Sequence, residues 1–492
     1  MNSQKKESLS SEQTLRDLFS ASSDVHLQVF HYHNQETSSD IMLIYSEGLC
    51  DSSQIVKTVL PELNQHFLKD SFGSLLSEQS SYFLPLTRFE GGGTKQQIEE
   101  AVFEGNLVLV FLNENTLFKL NLSRRPERTP EESSTEISIK GPKDGFVESY
   151  VTNIALIRKR IRSTSLCCES FILGKRTRTK VGLLYFQDIL NPSILKEVRA
   201  RISKIDVDAI YSNNQLEEAL ADVKYPLFPL IDSSGRPDYA VSSLLAGRFV
   251  IVVDGNPMVL IGPTTFALIL KSPEDVHFSF QYVSFARIIR ILSFWLSILL
   301  PGFWVALTAF HQDQIPFRLM ATIAVSRLGL PLSAQMEMFL LLLLLEIFRE
   351  AGVRLPSSIG QTLTVIGGLV IGDAAIRAGL VSPSVVVVGA ITAVMGVTLV
   401  NQTLSTTTSV IRFVFFMVSS FIGMYGLICC LLLLLIYMAR LRSFGVPYLA
   451  PLSPPNMKDI LPGYLRLPWS KMRTRPKSIH PVDPDHQGEK GS

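Results

Sequence analysis

The stretch IIRILSFWLSILLPGFWVALTAF, residues 288–310, decides the architecture of this chain. It is the first apolar run long enough to cross a hydrocarbon core of about 30 Å, which takes about 20 helical residues. Arg287 and Arg290 lie at its N-terminal end, and basic residues are typical of the cytoplasmic side of a membrane span. The run therefore predicts that a membrane region begins here and that the preceding residues lie in the cytoplasm.

Charged residues are distributed unevenly around this run. Residues 288–438 hold only five acids and seven arginines, so their charged fraction is less than half of the 18% found for the whole chain. Lysine is absent between Lys271 and Lys458. The composition excludes a disordered chain and one that coats nucleic acid. It predicts a soluble α/β N-terminal region followed by an all-α, multi-span membrane domain at residues 283–440.

More candidate spans follow the first one. Residues 384–404 and 410–438 are clear candidates, residues 333–350 and 358–380 contain charged side chains, and residues 317–331 fit an interfacial segment better. Residues 440–480 carry eight Lys or Arg and one acid, so the tail is expected in the cytoplasm. Because both ends then share one side, the number of crossings must be even, and four to six membrane helices are expected.

The N-terminal half contains an internal repeat. A strand that ends at Tyr45 and precedes a helix resembles one that ends at Tyr185. A helix, glycine and hairpin around Gly105 recur around Gly247, and the spacing between the two glycines is the same as that between the two tyrosines to within two positions. Two similar α/β subdomains are predicted, although α/β proteins in general repeat such elements. The predicted boundaries are 1–24 for a disordered N-terminus, 25–122 and 142–275 for the subdomains, 123–141 for a linker and 441–492 for a basic cytoplasmic tail.

Patterns of catalytic residues are missing from the sequence. The motif GGGTK at residues 91–95 lacks the spacing of a phosphate-binding loop, and His31 and His33 are too few for a metal site. The five cysteines form no CxxC pair and fit reduced thiols. We therefore expect a protein that is not an enzyme and that needs no metal or cofactor.

One candidate contact surface is the basic helix within SYVTNIALIRKRIRS, residues 149–163. Its isoleucines fall on one helical face. The basic residues beside them are Arg158, Lys159, Arg160 and Arg162. This cluster fits an acidic partner or anionic lipid headgroups. An amphipathic helix packed on its own domain would give the same pattern.

A second candidate is QTLTVIGGLVIGDAAIRAGL, residues 361–380. Its small residues allow close helix packing in a membrane, and Asp373 is an acid at membrane depth. One helical face carries Val365, Leu369, Gly372 and Ile376. This face predicts the hydrophobic constriction of a pore, with Asp373 beside the ion path. The alternative is an internally packed helix in which Asp373 pairs with Arg377.

Five stretches carry a family resemblance. They are DGFVESYVTNIALIRKRIRS (144–163), SLLAGRFVIVVDGNPMVLIGPTTF (243–266), PGFWVALTAFHQDQIP (301–316), RLPSSIGQTLTVIGGLVIGDAAIRAGLVSP (354–383) and FGVPYLAP (444–451). On these stretches the chain resembles the A subunits of GerA-type spore germination receptors. The residues before 144 match more weakly, mainly at LIYSEGLCD (43–51).

The resemblance implies a protein of the spore inner membrane that senses small germinants such as amino acids, sugars or nucleosides. It implies an integral-membrane B subunit and a lipoprotein C subunit as partners. It also implies that several A subunits assemble into a nutrient-gated channel whose ion release begins germination. The alternative functions are a secondary transporter of a small solute and a membrane scaffold for the other subunits. Transporters usually carry repeats within the membrane region, whereas the repeat here lies in the soluble half.

Overall fold

The computed structural model describes residues 12–34, 37–72, 84–89, 94–123, 136, 138–354 and 373–486. Two five-stranded sheets, each with helices on both faces, form the N-terminal part. Long helices between Phe280 and Arg440 form the C-terminal part. The predicted order, an α/β region followed by a helical region, is confirmed.

The first subdomain is a sheet with the strand order β1-β2-β4-β5-β3, in which all neighbours are antiparallel. Its elements are α1 (Glu12–Leu18), β1 (Val25–His33), β2 (Ser38–Ser46), α2 (Ser52–Gln54), a π-helical turn (Ile55–Val59), α3 (Leu60–Asp70), β3 (Thr87–Arg88), α4 (Lys95–Phe103), β4 (Asn106–Phe111) and β5 (Thr116–Asn121). Leu43 packs with α3, whereas its neighbour Met42 packs with α1 and α4. Successive strand residues thus enter opposite cores.

The second subdomain is a sheet with the order β6-β7-β9-β10-β8, again antiparallel throughout. Its elements are α5 (Tyr150–Arg158), β6 (Leu166–Leu173), β7 (Thr179–Phe186), α6 (Pro192–Lys204), α7 (Asn213–Leu220), β8 (Asp232–Ser234), α8 (Pro237–Leu245), β9 (Phe249–Val253), β10 (Val259–Gly262) and α9 (Phe266–Ile269). The 3-10 turn Pro273–Val276 connects this subdomain to the helical region.

The two sheets repeat each other in strand order and in register. Leu43 of β2 pairs with Leu109 of β4, and Leu183 of β7 pairs with Ile251 of β9. Leu43 and Leu183 are as far apart in the sequence as the two repeated tyrosines are. Leu109 and Ile251 are as far apart as the two repeated glycines are. A register shift of one residue would move every side chain of a strand to the opposite face of the sheet. The shared register therefore places the same positions in the core of both copies.

Equivalent glycines end a helix in both copies. Gly105 follows α4 and Gly247 follows α8, and each has φ +89°. The Gly105 N–H donates to the Val102 carbonyl at 3.1 Å, and the Gly247 N–H donates to the Leu244 carbonyl at 3.0 Å. Only glycine adopts this backbone conformation without a steric cost. The repeated glycine therefore reflects one turn geometry used twice.

Residues 12–24 do not form the disordered arm that was expected from the sequence. Leu15 of α1 and the following Phe19 are buried against the first sheet. The segment after α1 then pairs with the edge strand β6 of the second subdomain. Ala21 accepts a hydrogen bond from the Cys168 N–H, and the Ser23 N–H donates to the Cys168 carbonyl, both at 2.9 Å. The helix is only 7 residues long, too short for its periodicity to stand out in the sequence.

The helical region contains α10 (Phe280–Phe310), α11 (Phe317–Ser326), α12 (Ala334–Arg354), α13 (Pro383–Val397), α14 (Gln402–Ile422) and α15 (Met424–Arg440). A two-stranded hairpin, β11 (Arg442–Ser443) and β12 (Val446–Pro447), and the helix α16 (Met457–Tyr464) follow. Within the described ranges, α10 and α14 are long and apolar enough to cross a membrane, and α11, α13 and α15 are shorter apolar helices.

The predicted span at residues 410–438 is divided between two helices. α14 ends at Ile422, α15 begins at Met424, and Gly423 between them has φ +72°. Leu404 near the start of α14 and Met438 near the end of α15 lie in one buried cluster, so the two helices form an antiparallel pair. The apolar run continues through the turn, which hid the break in the sequence. The predicted span at 384–404 is shorter in the structure, and most of the segment 358–380 lies outside the described residues.

Candidate functional site

Three of the five predicted pore residues, Val365, Leu369 and Gly372, lie outside the described residues. The other two are Asp373, which is exposed, and Ile376, which is half-buried. The Asp373 carboxylate lies 2.8 Å from Nε of Arg377, one helical turn further on. This ion pair is the one expected for the internally packed alternative. The pore assignment stays a prediction.

The basic cluster at the end of α5 mainly joins parts of the α/β region. Arg158 is completely buried, and its guanidinium donates to both oxygens of Asp24 at 2.8 and 3.0 Å. It also stacks on the Phe103 ring at 4.3 Å. Arg158 therefore does not reach a partner or a lipid, because the first subdomain supplies its carboxylate. The sequence concealed this pair because 134 residues separate its members.

The other three basic residues of the cluster differ in their surroundings. Arg160 donates to both oxygens of Asp144 at 2.6 and 2.7 Å. Arg162 is exposed and donates to Glu104 of the first subdomain at 2.8 Å. Lys159 is exposed. A contact of this cluster with an acidic partner or lipid stays a prediction for Lys159, Arg160 and Arg162.

A buried polar junction links the second sheet to the helical region. Asp232, the first residue of the edge strand β8, is 4% exposed. Its Oδ2 accepts a hydrogen bond from the Tyr239 hydroxyl at 3.0 Å, and its Oδ1 accepts one from the Asn401 amide at 2.8 Å. Asn401 is the N-cap of α14, since its Oδ1 accepts a bond from the Leu404 N–H at 2.9 Å. One amide side chain thus caps a candidate span and holds the sheet edge.

Burial changes the acid–base properties of this junction. It raises the pKa of the Asp232 carboxyl to about 6, against a hydrogen bond from Tyr239 that favours the ionised form. Glu136 and Glu217 also have pKa values raised to about 7, first by burial and further by the charge of Asp232. The Glu136 carboxylate accepts a hydrogen bond from the Ser234 hydroxyl at 2.7 Å. Three carboxyl groups at one end of the sheet therefore titrate close to neutral pH.

A second connection follows the last long helix. The Ser443 hydroxyl of β11 donates to the Leu230 carbonyl at 2.6 Å and accepts a bond from the Thr264 N–H at 2.9 Å. The Phe444 N–H donates to the Asp222 carboxylate at 2.6 Å. Both ends of the α14–α15 pair are therefore attached to the second subdomain, one through Asn401 and the other through this hairpin.

Two arginines hold the start of α10 on the α/β region. Nε of Arg287 lies 2.9 Å from Asp275, and Nη1 of Arg290 lies 3.0 Å from the same carboxylate. Asp275 belongs to the 3-10 turn that precedes α10. The pairing of two cations with one buried carboxylate orients the helix at the point where its apolar run begins.

A charged cluster lies between α12 and α14. Arg412 of α14 is 6% exposed and donates to Glu346 of α12 at 3.2 Å and to Ser409 at 3.1 Å. Arg349 of α12 donates to the same Glu346 and Ser409 side chains. Two guanidinium groups thus share one carboxylate. Arg412 is buried, whereas Glu346 and Arg349 are partly exposed. A charged group buried among apolar helices is costly and is commonly retained for function. In the part of the chain that the structure describes, no group of His, Cys, Asp and Glu side chains has the arrangement of a metal site.

Comparison with known proteins gives the family. The family model described as Bacillus/Clostridium GerA spore germination protein matches residues 13–478. The chain belongs to this GerA family. Spore germination protein XA of Bacillus anthracis is 41% identical over 478 residues, 97% of each chain. Spore germination protein KA of Bacillus subtilis (strain 168) is 34% identical over 470 residues, 95% of this chain and 86% of that one.

A solved structure also resembles this GerA protein. It is the N-terminal domain of the A subunit of the Bacillus megaterium spore germinant receptor GerK3. The two chains are 28% identical, the TM-score is 0.39, and the match covers 52% of this chain and 95% of the other. The family resemblance inferred from the sequence is confirmed by the family match and the full-length relatives.

Two features of this GerA protein are not apparent in its sequence. Asp232 and Asn401 are 169 residues apart, so no local pattern joins them, although an asparagine before a helical run is a recognisable N-cap signal. Glu346 and Arg412 are visible as charges in apolar segments, but their pairing depends on how α12 packs against α14. Local signals therefore identify these residues, and only the fold shows their partners.

Proposed function

We propose that this GerA-family protein is a subunit of a nutrient-responsive germination receptor in the spore inner membrane. It senses small germinants together with an integral-membrane B subunit and a lipoprotein C subunit. An oligomer of these chains then releases ions as a nutrient-gated channel. The observation that carries the proposal is the Asp232–Asn401 hydrogen bond of 2.8 Å, because it couples a folded α/β region directly to the first turn of a candidate span.

The charged cluster between α12 and α14 supports the same function. The Glu346 carboxylate is shared by Arg349 and Arg412, so a shift of one helix changes which guanidinium it binds. Such a cluster permits two discrete helix arrangements, which a gate requires. Movement of the second subdomain reaches α14 through Asn401 and selects between the two arrangements.

In this proposal the chain crosses the membrane several times, and both the α/β region and the basic tail lie in the cytoplasm. Single-cysteine variants labelled with an impermeant thiol reagent test the arrangement. A cysteine at exposed Lys204 or Lys477 is expected to react only after the membrane is opened. Reaction at either position in intact vesicles would refute the proposed orientation.

Ion current from the purified receptor complex in a planar bilayer tests the function. We expect current on addition of nutrient and none before it. Solute accumulation without a matching ion current would instead indicate a transporter. Assembly of the other subunits without either activity would indicate a scaffold. An Asn401→Ala complex is the matched comparison, because it keeps the chain complete while removing the link to Asp232; we expect its response to nutrient to be weakened.

A further inference from the structure

A C-terminal surface combines exposed apolar side chains with exposed cations. Met457 is 82% exposed and Trp469 is 66% exposed. Leu461 lies one helical turn after Met457 on the same face of α16 and is also exposed. Three exposed basic residues of the same segment are Lys458, Lys471 and Arg473. We call these six residues the C-terminal collar.

Hydrogen bonds hold the collar segment beside the start of α10. The Ser284 hydroxyl donates to the Arg466 carbonyl at 3.0 Å, and the Arg466 N–H donates back to this hydroxyl at 3.1 Å. Arg287 donates to the Leu465 carbonyl at 3.2 Å. The Arg466 guanidinium donates to the carbonyls of Val276 and Phe278 at 3.1 and 2.9 Å. The chain between α16 and Trp469 therefore lies along the first two turns of α10.

The first two turns of α10, where the collar segment lies, correspond to the headgroup layer of a bilayer that α10 crosses. The apolar run begins at Ile288, four residues after Ser284, which is about 6 Å along a helix. The headgroup layer on each side of a bilayer is about 5–8 Å thick. Tyr282 and Phe285 are exposed at the same level of α10, and aromatic side chains are typical of the membrane–water interface.

The exposed charge of the collar is positive. Asp459 is the one acid between residues 440 and 480, and it is buried. Its carboxylate accepts hydrogen bonds from the Lys477 N–H at 2.9 Å and the Asn456 amide at 3.0 Å. Within residues 440–480 the cations of the collar therefore face outward without an exposed acid beside them, and beyond this range exposed Asp485 pairs with Thr474, next to Arg473. Exposed apolar side chains with basic residues between them match a surface of anionic lipids.

We propose that the C-terminal collar inserts into the headgroup layer of an anionic leaflet, with Met457, Leu461 and Trp469 among the lipids and the three cations on their phosphates. The inference rests on the proposed membrane crossing of α10 and adds a lipid-binding surface to it. Continuity with the exposed apolar face of α10 favours lipid over a protein partner as the occupant.

The three tryptophans of the chain, Trp295, Trp304 and Trp469, allow a direct test. The full-length protein is placed in vesicles of phosphatidylcholine and phosphatidylglycerol, with and without bromine on the acyl chains. Trp295→Phe with Trp304→Phe leaves Trp469 as the reporter, and Trp469→Phe leaves the two residues of α10. We expect brominated lipid to quench both reporters.

The outcomes separate the collar from the membrane crossing. Quenching of the α10 reporters with full retention of Trp469 emission would overturn the collar proposal and indicate a surface that faces water or protein. Retention of emission by both reporters would overturn the crossing of α10 itself. Quenching of both supports the collar.

Two sets of substitutions identify the contacts. Met457→Glu with Leu461→Glu is expected to restore Trp469 emission, whereas Val482→Glu is the matched control and should leave it quenched. Val482 is exposed, but its N–H bonds to Ile189 of the second subdomain. Trp469 of the unaltered collar should be quenched more strongly in vesicles that contain phosphatidylglycerol than in phosphatidylcholine alone. Replacement of Lys458, Lys471 and Arg473 by Gln should remove this difference. Unchanged quenching of Trp469 in either set would overturn that part of the proposal. The same substitutions made in the Trp469→Phe protein, where the α10 reporters should stay quenched, check that each variant is folded.

Discussion

The Asp232 carboxylate accepts a hydrogen bond of 2.8 Å from the side-chain amide of Asn401, the residue that caps α14. The same asparagine satisfies a backbone N–H of the helix at 2.9 Å. Helix capping and attachment to the sheet are therefore two tasks of a single side chain. A change that moves the edge of the sheet acts directly on the first turn of the helix.

Substitution of Asn401 should separate these two tasks. Asn401→Ala removes the cap, worth about 1 kcal/mol, and the bond to a carboxylate, worth about 1.5 kcal/mol or more. Asn401→Ser keeps a capping oxygen but is too short to reach Asp232, so we expect it to lose only the second amount. Thermal unfolding of the full-length protein in lipid nanodiscs measures both. Thr406→Ala, exposed on the same helix, is the control; equal stability of all three variants would show that the junction does not stabilise the fold.

The stability of the protein should fall as the pH rises from about 4.5 to 7. The pKa values of Asp232, Glu136 and Glu217 are raised in the folded state, to about 6, 7 and 7, mainly by burial. The folded state then binds more protons than the unfolded state in this range, so a rise in pH favours unfolding. The raised pKa of Asp232 corresponds to about 3 kcal/mol at most.

Matched variants assign this pH dependence to its groups. Asp232→Asn should flatten the fall in stability up to about pH 6, and Glu217→Gln should flatten it up to about pH 7. Asp206→Asn, at an exposed carboxylate, should leave the profile unchanged. Below pH 4.5 the stability should instead fall as the pH falls. Burial alone would raise the pKa of Glu274, but hydrogen bonds from Arg236 and the Lys140 backbone lower it to about 2. The unfolded state then binds more protons than the folded state in this range. The same slope in Asp232→Asn as in the unaltered protein would contradict the assignment.

Removal of the buried arginine between the subdomains should be strongly destabilising. Arg158→Met leaves Asp24 buried without its cation, which typically costs about 3–5 kcal/mol. Arg162→Met removes an exposed pair with Glu104 and should cost about 1 kcal/mol or less. Denaturant unfolding of the two variants compares them. The double variant Arg158→Met with Asp24→Leu should recover most of the loss, and failure to recover would indicate that Arg158 acts mainly through its packing on Phe103.

Truncation of the predicted constriction should open the proposed channel. Val365→Ala or Leu369→Ala shortens a hydrophobic ring, so ions should leak without nutrient. Asp373→Asn should keep the fold but change conduction, because each subunit loses one charge at the ion path. Spontaneous germination is scored against the protein level in the same spores. Premature germination at a normal protein level supports the pore; normal dormancy with less protein would reject it in favour of an internally packed helix.

The parts of the fold that the sequence predicted depend on short-range signals. Gly105 and Gly247 end equivalent helices, and the apolar strands beside them repeat at a nearly constant spacing, so the duplication could be recognised. The division of the chain at the start of α10 followed from the length of its apolar run. The turn at Gly423 is not recognisable in the sequence, because a glycine in a continuous apolar run is compatible with either a helix or a turn.

The parts that the sequence could not predict depend on contacts between distant residues. The basic cluster at 158–162 has the composition of a binding surface, yet Arg158 is buried against Asp24, 134 residues earlier. Its burial is set by the position of the first subdomain, which no local pattern records. The Asp232–Asn401 junction depends in the same way on how the second sheet packs on α14 and α15.

The two copies of the repeat are connected in series. The first copy meets the second through Asp24 and Arg158 and through the backbone of Ala21 and Cys168, and the second copy carries the attachment to the helices at Asp232. A displacement of the first copy therefore acts on the helices through the second copy. Loss of the bond at Asn401 would weaken the attachment of both copies to the helices, which the hairpin at Ser443 and the Asp275 ion pairs would still hold. Loss of Arg158 would weaken only the attachment of the first copy.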